Sequence, residues 1–362
     1  MEGQWMKQAL ELAEKGKGWV SPNPLVGAVI VKDGEVIGEG WHARFGGPHA
    51  EAVALAIAGE DAKDATLYVN LEPCSHYGKT PPCADAIIRH KLARVVVAMK
   101  DPNPKVAGRG IKRIREAGIV VELGLMEEEA KALNRSFIHF ITHRIPYCVM
   151  KTAVTLDGKT GTTIGDSQWI SGEASRMEVH RMRHEMDAIL VGTGTAFADN
   201  PRLTARLEGK VAQPIRVVLD QLGALPRTHH LLATGKAKTI WVVGKRAMAH
   251  LELESIASHV EIMVVNEADG HLDLQELFEN LGNKNIASIL LESGGGLNAA
   301  MLKAGLVQEV VIFMAPKIVG GEKAKTSVAG AGIPVLDDCI DLDFEEIRPI
   351  GRDLMIRGRV RG

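Results

Sequence analysis

Four residues in the first quarter of the chain have the types and spacing of a catalytic metal site. His49 and Glu51 lie two residues apart, and Cys74 and Cys83 each follow a proline further along the chain. An imidazole and two thiolates are ligands that zinc prefers, and three protein ligands leave a fourth position open for water. Such water is acidic enough to react near neutral pH, and a carboxylate such as Glu51 can carry its proton to a leaving amine. The sequence therefore predicts a hydrolytic zinc site with His49, Cys74 and Cys83 as its ligands.

The order of these residues is also informative. His-x-Glu followed by Pro-Cys-x-x-Cys is the signature of zinc-dependent base deaminases. Here eight residues, Ser75 to Pro82, separate the two cysteines instead of two. This insert contains polar groups and stiff prolines, so we expect a loop beside the metal that holds a larger, charged substrate. Any one of these residues alone is better explained as a buried small side chain or a first-turn helix residue, but their joint occurrence favours the metal site.

The surrounding segments are predicted to place the ligands at helix starts and strand ends. Residues 50–58 are rich in Ala, Val and Leu and predict a helix with Glu51 in its first turn. Residues 66–70 predict a strand that ends shortly before Cys74. Residues 83–89 predict a second helix, which begins after a proline.

Strands alternate with helices along the whole chain, which predicts an α/β layered fold with some parallel strand pairs. The first half closes with a helix predicted over 127–140, and the pattern restarts with a strand over 147–155. We therefore expect two domains, 1–144 and 145–362, each long enough to bury its own core.

Composition argues against several classes of function. The chain has 46% hydrophobic and 24% charged residues, and its formal net charge of −2 implies no broad face for nucleic acid. No apolar run approaches the ~18 residues of a membrane span, and the first residues do not resemble a signal peptide. Cys148 and Cys339 remain as free thiols, which suits a reducing compartment. We expect a cytoplasmic protein without a nucleic-acid or membrane partner.

The second half offers a candidate phosphate site. Residues 292–296, Glu-Ser-Gly-Gly-Gly, follow an apolar strand and open a predicted helix, where backbone N–H groups and the helix dipole favour an anion. Gly192-Thr193-Gly194 begins like a dinucleotide fingerprint, but Phe197 stands where the third glycine is required, so a Rossmann motif is not supported. Charged residues at or just after strands are, individually, better explained as solvated; they are Lys151, Asp157, Asp199 and Glu292.

Nine stretches of the chain resemble the bifunctional deaminase–reductase family of riboflavin biosynthesis. They span residues 21 to 321 and read SPNPLVGAVIV, GWHARFGGPHAE, LEPCSHYGKTPPC, DPNPKVAGRG, TLDGK, GDSQWI, VGTGTAFADNP, LESGGG and APKIVGG. The third is the most specific, because it carries the eight-residue insert that the general deaminase motif lacks.

The resemblance implies a cytidine-deaminase-like α/β/α domain at the N-terminus and a dihydrofolate-reductase-like α/β domain at the C-terminus. The first would use Zn²⁺ to deaminate 2,5-diamino-6-(5-phosphoribosylamino)pyrimidin-4-one, a small phosphorylated pyrimidine. The second would use NADPH to reduce the ribosyl group to ribityl. Carried over by motif, the residues around the deaminase substrate are Asn23, His42, His76, Lys79 and Asn103.

The resemblance also assigns residues in the reductase. Those that would contact the nucleotide are Ala153, Trp169, Thr195, Asp199, Gly294, Gly295 and Gly296. Those that would contact the substrate are Ser167, Arg183, Leu203, Arg206 and Glu292. Lys151 is implied to have a catalytic or orienting role. Gln221 departs from the family, because Ser or Thr is expected there near the cofactor.

Several alternatives stay open at this point. Spacing alone does not distinguish NADPH from NADH, and the oligomeric state is undecided, with a homo-oligomer as one outcome. The zinc motif also fits a deaminase of tRNA bases, although the net charge and ~220 further residues without an RNA-binding motif disfavour it. A zinc-stapled binding module is a third interpretation, which requires a fourth protein ligand. His42 and His76 are the nearby candidates for that ligand.

Overall fold

The structure is a computed structural model that describes residues 2–75, 82–103 and 107–361. The chain divides into two compact units, Met1–Arg144 and Ile145–Gly362. Two expected substrate residues, His76 and Lys79, lie outside the described residues. None of the described helices has both the length and the apolar character that crossing a bilayer requires.

The helices and strands of the first unit alternate as the sequence predicts. Their bounds are α1 (Glu2–Glu14), β1 (Gly27–Lys32), β2 (Glu35–Trp41), α2 (Ala50–Ala58), β3 (Thr66–Leu71), α3 (Cys83–Arg89), β4 (Arg94–Met99), α4 (Arg109–Glu116), β5 (Val120–Leu123), α5 (Glu127–Leu133) and α6 (Arg135–His143).

One sheet, with the strand order β2-β1-β3-β4-β5, forms the middle layer of this unit. Strand β1 is antiparallel to both of its neighbours, whereas β3, β4 and β5 are parallel. Side chains alternate across β1: Ala28 and Ile30 pack with α2, α3 and α4, and Val29 and Val31 pack with α1 and α5. Because both faces of the sheet are covered, the unit has three layers, α/β/α.

The helix expected over 127–140 is wrong as a single element. The structure has α5 and α6, which are separated at Asn134. The Asn134 side chain accepts a hydrogen bond from the Leu25 backbone N–H (2.8 Å) and donates one to the Leu25 carbonyl (3.0 Å). This buried contact with a distant loop interrupts the helix.

The second unit continues the alternation around a larger sheet. Its bounds are β6 (Tyr147–Thr155), α7 (Glu173–Glu185), β7 (Ala188–Gly192), α8 (Thr193–Asp199), β8 (Ile215–Leu219), α9 (His230–Ala233), β9 (Thr239–Gly244), β10 (Val260–Val265), β11 (Glu267–Ala268), β12 (His271–Leu272), α10 (Leu274–Asn283), β13 (Ser288–Leu291), α11 (Gly295–Lys303), β14 (Glu309–Ala315), β15 (Leu342–Ile350) and β16 (Asp353–Val360).

The main sheet of the second unit has the order β10-β9-β8-β7-β13-β6-β14-β16-β15. The first seven strands in this order, which begin with β10 and end with β14, are parallel to their neighbours. Strands β16 and β15 complete the sheet with antiparallel pairs. Helices α10 and α11 pack on one face, and α7, α8 and α9 pack on the other. The carboxyl ends of β6, β7 and β13 therefore meet at the middle of one edge, where parallel α/β sheets bind their ligands.

Candidate active sites

Three separate elements of the first unit bring the expected zinc ligands together. His49 is the residue before α2, Cys74 follows β3, and Cys83 is the first residue of α3. The Nδ1 atom of His49 lies 3.5 Å from the Cys74 sulfur and 3.3 Å from the Cys83 sulfur. The three ligand atoms all lie within 4.8 Å of one another.

This arrangement fits a zinc ion. Zinc–sulfur bonds of about 2.3 Å and zinc–nitrogen bonds of about 2.0 Å in a tetrahedron separate the ligand atoms by about 3.6 Å. Among the described residues, no fourth His, Cys, Asp or Glu joins this group. A set of two sulfurs and one imidazole suits zinc, and three ligands are typical of a catalytic site.

Of the two cysteines in this site, Cys74 is the one whose thiolate form its neighbours stabilise. A hydrogen bond with Cys83 lowers the pKa of the Cys74 thiol, and His49 adds to this effect, whereas the same hydrogen bond and burial raise the pKa of Cys83. The hydrogen bond with Cys74 raises the pKa of His49. The Cys83 backbone N–H also points to the Cys74 sulfur, at 3.2 Å. A thiolate at Cys74 is thus stabilised by groups that surround it.

Glu51 lies in the first turn of α2 and is buried, with 3% of its surface exposed. Burial raises its pKa to about 7, and the negative charge at Cys74 acts in the same direction. A carboxyl group in such surroundings can both accept and release a proton near neutral pH.

His42 and Asn23 form a second layer beside this site. The His42 Nδ1 atom lies 2.9 Å from the Pro48 carbonyl, which can only accept, so Nδ1 carries the proton. The other ring nitrogen, Nε2, then accepts from the Asn23 amide at 3.1 Å. Burial lowers the pKa of His42, which agrees with a neutral ring. Both nitrogens are engaged, so His42 does not supply the fourth ligand that a structural zinc site requires.

Asn103, another expected substrate residue, lies in the loop after β4. Its backbone N–H donates to the Asp101 carboxylate at 2.8 Å. Because β3 and β4 are parallel neighbours, this loop and the Cys74 segment leave the sheet at the same edge.

In the second unit, the carboxyl end of β13 carries a buried charge cluster. Glu292, whose side chain is 10% exposed, accepts two hydrogen bonds from Arg183 of α7, at 2.6 and 2.9 Å. The Lys151 ammonium of β6 lies 3.7 Å from the same carboxylate. Burial alone raises the pKa of Glu292, but the charges of Arg183 and Lys151 outweigh it and lower the pKa to about 2.

Thr204 links the cluster to the second expected arginine. Its carbonyl accepts from Arg183 at 3.3 Å, and its hydroxyl accepts from Arg206 at 3.3 Å. The preceding residue, Leu203, is buried and has a positive φ of 47°. Sequence reasoning missed Thr204, because a backbone carbonyl leaves no signal in the residue type. One carboxylate faces three cations here, so the cluster favours an anionic ligand.

The residues expected at the nucleotide lie along the same edge of the sheet. Thr195 and Asp199 belong to α8, which follows β7, and Gly294 precedes α11, which follows β13. The Gly192 backbone N–H donates to the Ser293 hydroxyl at 3.3 Å, which joins the two strand ends. A side chain at Gly295 would place its Cβ 2.6 Å from the Thr326 carbonyl, so only glycine permits this close approach.

Two expected residues, Trp169 and Ser167, lie in the segment between β6 and α7. The Trp169 side chain is 63% exposed, and the Arg176 guanidinium lies 4.8 Å from the ring centroid. Lys317 donates to the Trp169 carbonyl. In the part of the chain that the structure describes, no hydrogen bond joins Ser167 to the Glu292 cluster. Hydrogen bonds and an ion pair join the charged residues Arg183, Lys151 and Glu292, whereas a contact between Ser167 and the substrate stays a prediction.

Two other positions differ in their surroundings. Ala153 lies on β6, two residues beyond Lys151, so both side chains face the same side of the sheet. The Gln221 side-chain amide donates to the Gly270 carbonyl at 3.0 Å, and the Gln221 backbone carbonyl accepts from the Gly244 N–H at 2.9 Å. Gln221 therefore holds the hairpin of β11 and β12 against the end of β9.

An α/β/α unit with a His-Cys-Cys set and a buried glutamate belongs to the class of zinc-dependent deaminases. The family model "Cytidine and deoxycytidylate deaminase zinc-binding region" matches residues 1–99, and the model "RibD C-terminal domain" matches residues 146–356. The chain belongs to the RibD family of bifunctional riboflavin-biosynthesis deaminase–reductases.

Similar proteins cover nearly the whole chain. The RibD proteins of Actinobacillus pleuropneumoniae and Escherichia coli are each 42% identical; the alignments cover 97% of this chain and 93% and 97% of the relatives. The solved structure of RibD from Acinetobacter baumannii has a TM-score of 0.89 at 36% identity, with 99% of both chains covered. A structure from Thermotoga maritima, titled a diaminohydroxyphosphoribosylaminopyrimidine deaminase/5-amino-6-(5-phosphoribosylamino)uracil reductase, has a TM-score of 0.87 at 38% identity and covers 99% of this chain and 98% of its own.

These matches confirm the expected fold class and the bifunctional activity. The chain is a hydrolase and an oxidoreductase of riboflavin biosynthesis, with Zn²⁺ and NADPH as its cofactors. The interpretations as a tRNA deaminase and as a binding module without activity are not supported, since relatives that match along the full length are RibD proteins.

Proposed function

We propose that His49, Cys74 and Cys83 hold the zinc ion and that Glu51 carries the proton in the deamination of 2,5-diamino-6-(5-phosphoribosylamino)pyrimidin-4-one. The observation that supports this proposal is the convergence of the three ligand atoms within 4.8 Å, beside a buried carboxylate. A zinc ion held by His49, Cys74 and Cys83 would polarise a water molecule for attack on the ring carbon that bears the amine. Glu51 takes a proton from that water and passes it to the departing amine, which leaves as ammonia.

We propose that Asn23, His42 and Asn103, together with His76 and Lys79, bind the deaminase substrate. The hydrogen bonds of His42 fix its ring and leave the proton on Nδ1, so the Asn23 amide is held in one orientation. Lys79, a point charge in the insert between the cysteines, is the natural partner for the substrate phosphate.

In the second unit, we propose that Glu292 and Lys151 contact the sugar that is reduced. Bound NADPH supplies the hydride. Lys151 is a cation beside a carboxylate at the strand end, so it can orient the carbonyl or imine carbon and stabilise charge that develops there. The Arg183 fork is committed to Glu292, so Arg183 acts mainly by holding that carboxylate. Arg206 donates a hydrogen bond to the Thr204 hydroxyl and is not paired with Glu292 as Arg183 is, so we propose Arg206 as the better candidate for the substrate phosphate.

The remaining expected residues are assigned by position. We propose that the nucleotide contacts Ala153, Trp169, Thr195, Asp199 and Gly294 to Gly296. We propose that the substrate contacts Ser167 and Leu203. The start of α11 is the proposed phosphate site, because its backbone N–H groups and dipole point to the edge where β7 and β13 end.

We also propose that the protein works in the reducing cytoplasm as a homo-oligomer. All four cysteines are free thiols, and Cys74 and Cys83 must remain reduced to bind a metal. Phe344 and Ile347 are exposed on β15, which is the edge strand of the sheet within the described residues. Apolar side chains on an edge strand favour association. Light scattering on the purified protein measures the oligomeric state.

The test of the deaminase assignment is the substitution Glu51→Gln, which keeps the shape of the side chain and removes its proton-carrying group. We expect zinc content to stay at the wild-type level and ammonia release to fall by about 100-fold or more, as is typical for loss of a general acid–base. NADPH oxidation with deaminated substrate should be unchanged, since it depends on the other unit. Deamination at the wild-type rate by this variant would show that Glu51 does not carry the proton.

A further inference from the structure

Glu72 is a buried carboxylate that binds four backbone N–H groups. Its side chain is 3% exposed and lies directly after β3. One oxygen accepts from Gly108 (2.9 Å) and Asp101 (3.2 Å). The other accepts from Gly110 (2.9 Å) and Ile111 (3.3 Å). Among the residues that the structure describes, no Lys or Arg forms an ion pair with Glu72, so these backbone groups stabilise its charge.

All four donors lie in one segment, at the described residues 101–103 and 107–111, which follow β4 and begin α4. Helix α4 has no acidic residue in its own first turn and no side-chain cap at Gly108. Glu72 therefore supplies, from another strand, both the hydrogen-bond acceptor and the negative charge that the start of a helix lacks.

The local sequence is adapted to this contact. A Cβ atom at Gly110 would lie 2.0 Å from the Pro73 carbonyl oxygen. Glycine at this position allows the start of α4 to approach the backbone of residues 72–74, which brings its N–H groups within reach of the carboxylate. Any larger residue would separate the two segments.

The contact joins two parts of the deaminase site. Pro73 alone separates Glu72 from the zinc ligand Cys74. The segment that Glu72 binds contains Asn103, which the proposed function places at the substrate, and Asp101, which holds the Asn103 backbone. We propose that Glu72 is a positioning residue of the deaminase, which sets the substrate loop at residues 101–103 relative to the metal ligands. This inference rests on the proposed function of the first unit.

The substitution Glu72→Gln tests this proposal. An amide of the same shape replaces one oxygen by an NH₂ group, which opposes two of the N–H donors instead of accepting from them. We expect KM for deamination to rise by about tenfold, the factor that one hydrogen bond to a charged group contributes. Zinc content and kcat should change less, because the ligands and Glu51 are unaltered. NADPH oxidation with deaminated substrate serves as an internal control.

A second readout follows the segment itself. Backbone amides of 101–103 and 107–111 should exchange hydrogen faster in Glu72→Gln, measured by mass spectrometry, while those of α2 keep their wild-type rate. The matched control is Glu116→Gln, which removes an exposed charge from the same helix at a distance from Glu72. Glu116→Gln should leave KM and exchange unchanged.

Two outcomes overturn the proposal. The first is wild-type KM and wild-type exchange in Glu72→Gln; the second is loss of zinc with KM unaltered in the fraction that retains metal. If Glu72→Gln does not fold, Glu72→Asp provides the test, since it keeps the negative charge but shortens the side chain. A wild-type KM for deamination in Glu72→Asp would then refute the positioning role of Glu72. Failure of the proposed function is distinct, because it appears as normal deamination by Glu51→Gln whatever the Glu72 variants do.

Discussion

Substituting Glu292 by glutamine gives the most quantitative test of the charge cluster. Gln has the shape of Glu but no charge, so the variant resembles the wild-type protein with Glu292 protonated. The charges of Arg183 and Lys151 lower the pKa of Glu292 from an ordinary 4.5 to about 2. At 1.36 kcal/mol for each pKa unit, the ionised form stabilises the unit by about 3 kcal/mol. We expect Glu292→Gln to lower the free energy of unfolding by about this amount at pH 7.

The direction of the pH dependence follows from the same shift. A carboxyl whose pKa is lower in the folded state stabilises that state fully above its unfolded pKa, near 4.5. The contribution is lost as the pH falls towards the folded pKa of about 2. The difference in unfolding free energy between the wild type and Glu292→Gln should therefore be constant above about pH 5.5 and should narrow at lower pH.

Differential scanning calorimetry measures this effect. For a unit of this size, a loss of about 3 kcal/mol corresponds to a fall in Tm of about 6–12 °C in the transition of the second unit. Glu261→Gln is the matched control, because Glu261 pairs with Lys284 at the surface, where an ion pair contributes at most about 1 kcal/mol. NADPH oxidation should also fall sharply in Glu292→Gln, with deamination unchanged. A Tm within 2 °C of the wild type would refute the reasoning.

Two further substitutions test the surroundings of each site. Asn134→Ala removes both hydrogen bonds to the Leu25 backbone and leaves a partly buried N–H without this acceptor. We therefore expect urea unfolding to show a loss of about 2 kcal/mol in the first unit, and an unchanged midpoint contradicts this role. Gly295→Ala places a Cβ 2.6 Å from the Thr326 carbonyl and must push the start of α11 away. A fluorescence titration should then show NADPH binding weakened by about tenfold with ammonia release intact, whereas wild-type affinity would exclude the turn as the phosphate site.

The sequence pattern predicted those helices and ligands whose position is determined by neighbouring residues in the chain. The helices Ala50–Ala58 and Cys83–Arg89 have the bounds that the sequence predicts, because a change in composition or a proline marks each start. The His49, Cys74 and Cys83 cluster was predictable as well, since each ligand type is specific for its chemistry.

Most of the features that the sequence did not predict depend on distant partners. The break between α5 and α6 arises because Asn134 binds Leu25, 109 residues away. Strand β15 was missed because its charged residues and Pro349 resemble a loop; pairing with β16 makes it a strand. Helix α8 was also missed, since its seven residues carry no side-chain cap. The cross-strand role of Glu72 likewise depends on backbone groups about 30 to 40 residues further along the chain.

The end of β13 has a consequence for how this enzyme can change. Glu292, proposed for the sugar, and Gly294, proposed for the dinucleotide, are separated by the single residue Ser293. The spacing between the two ligands is therefore set by covalent backbone geometry and not by adjustable side chains. A change at this turn that makes room for one ligand would displace the other, so we expect a shift in cofactor preference to originate at other strand ends, such as the residues after β8.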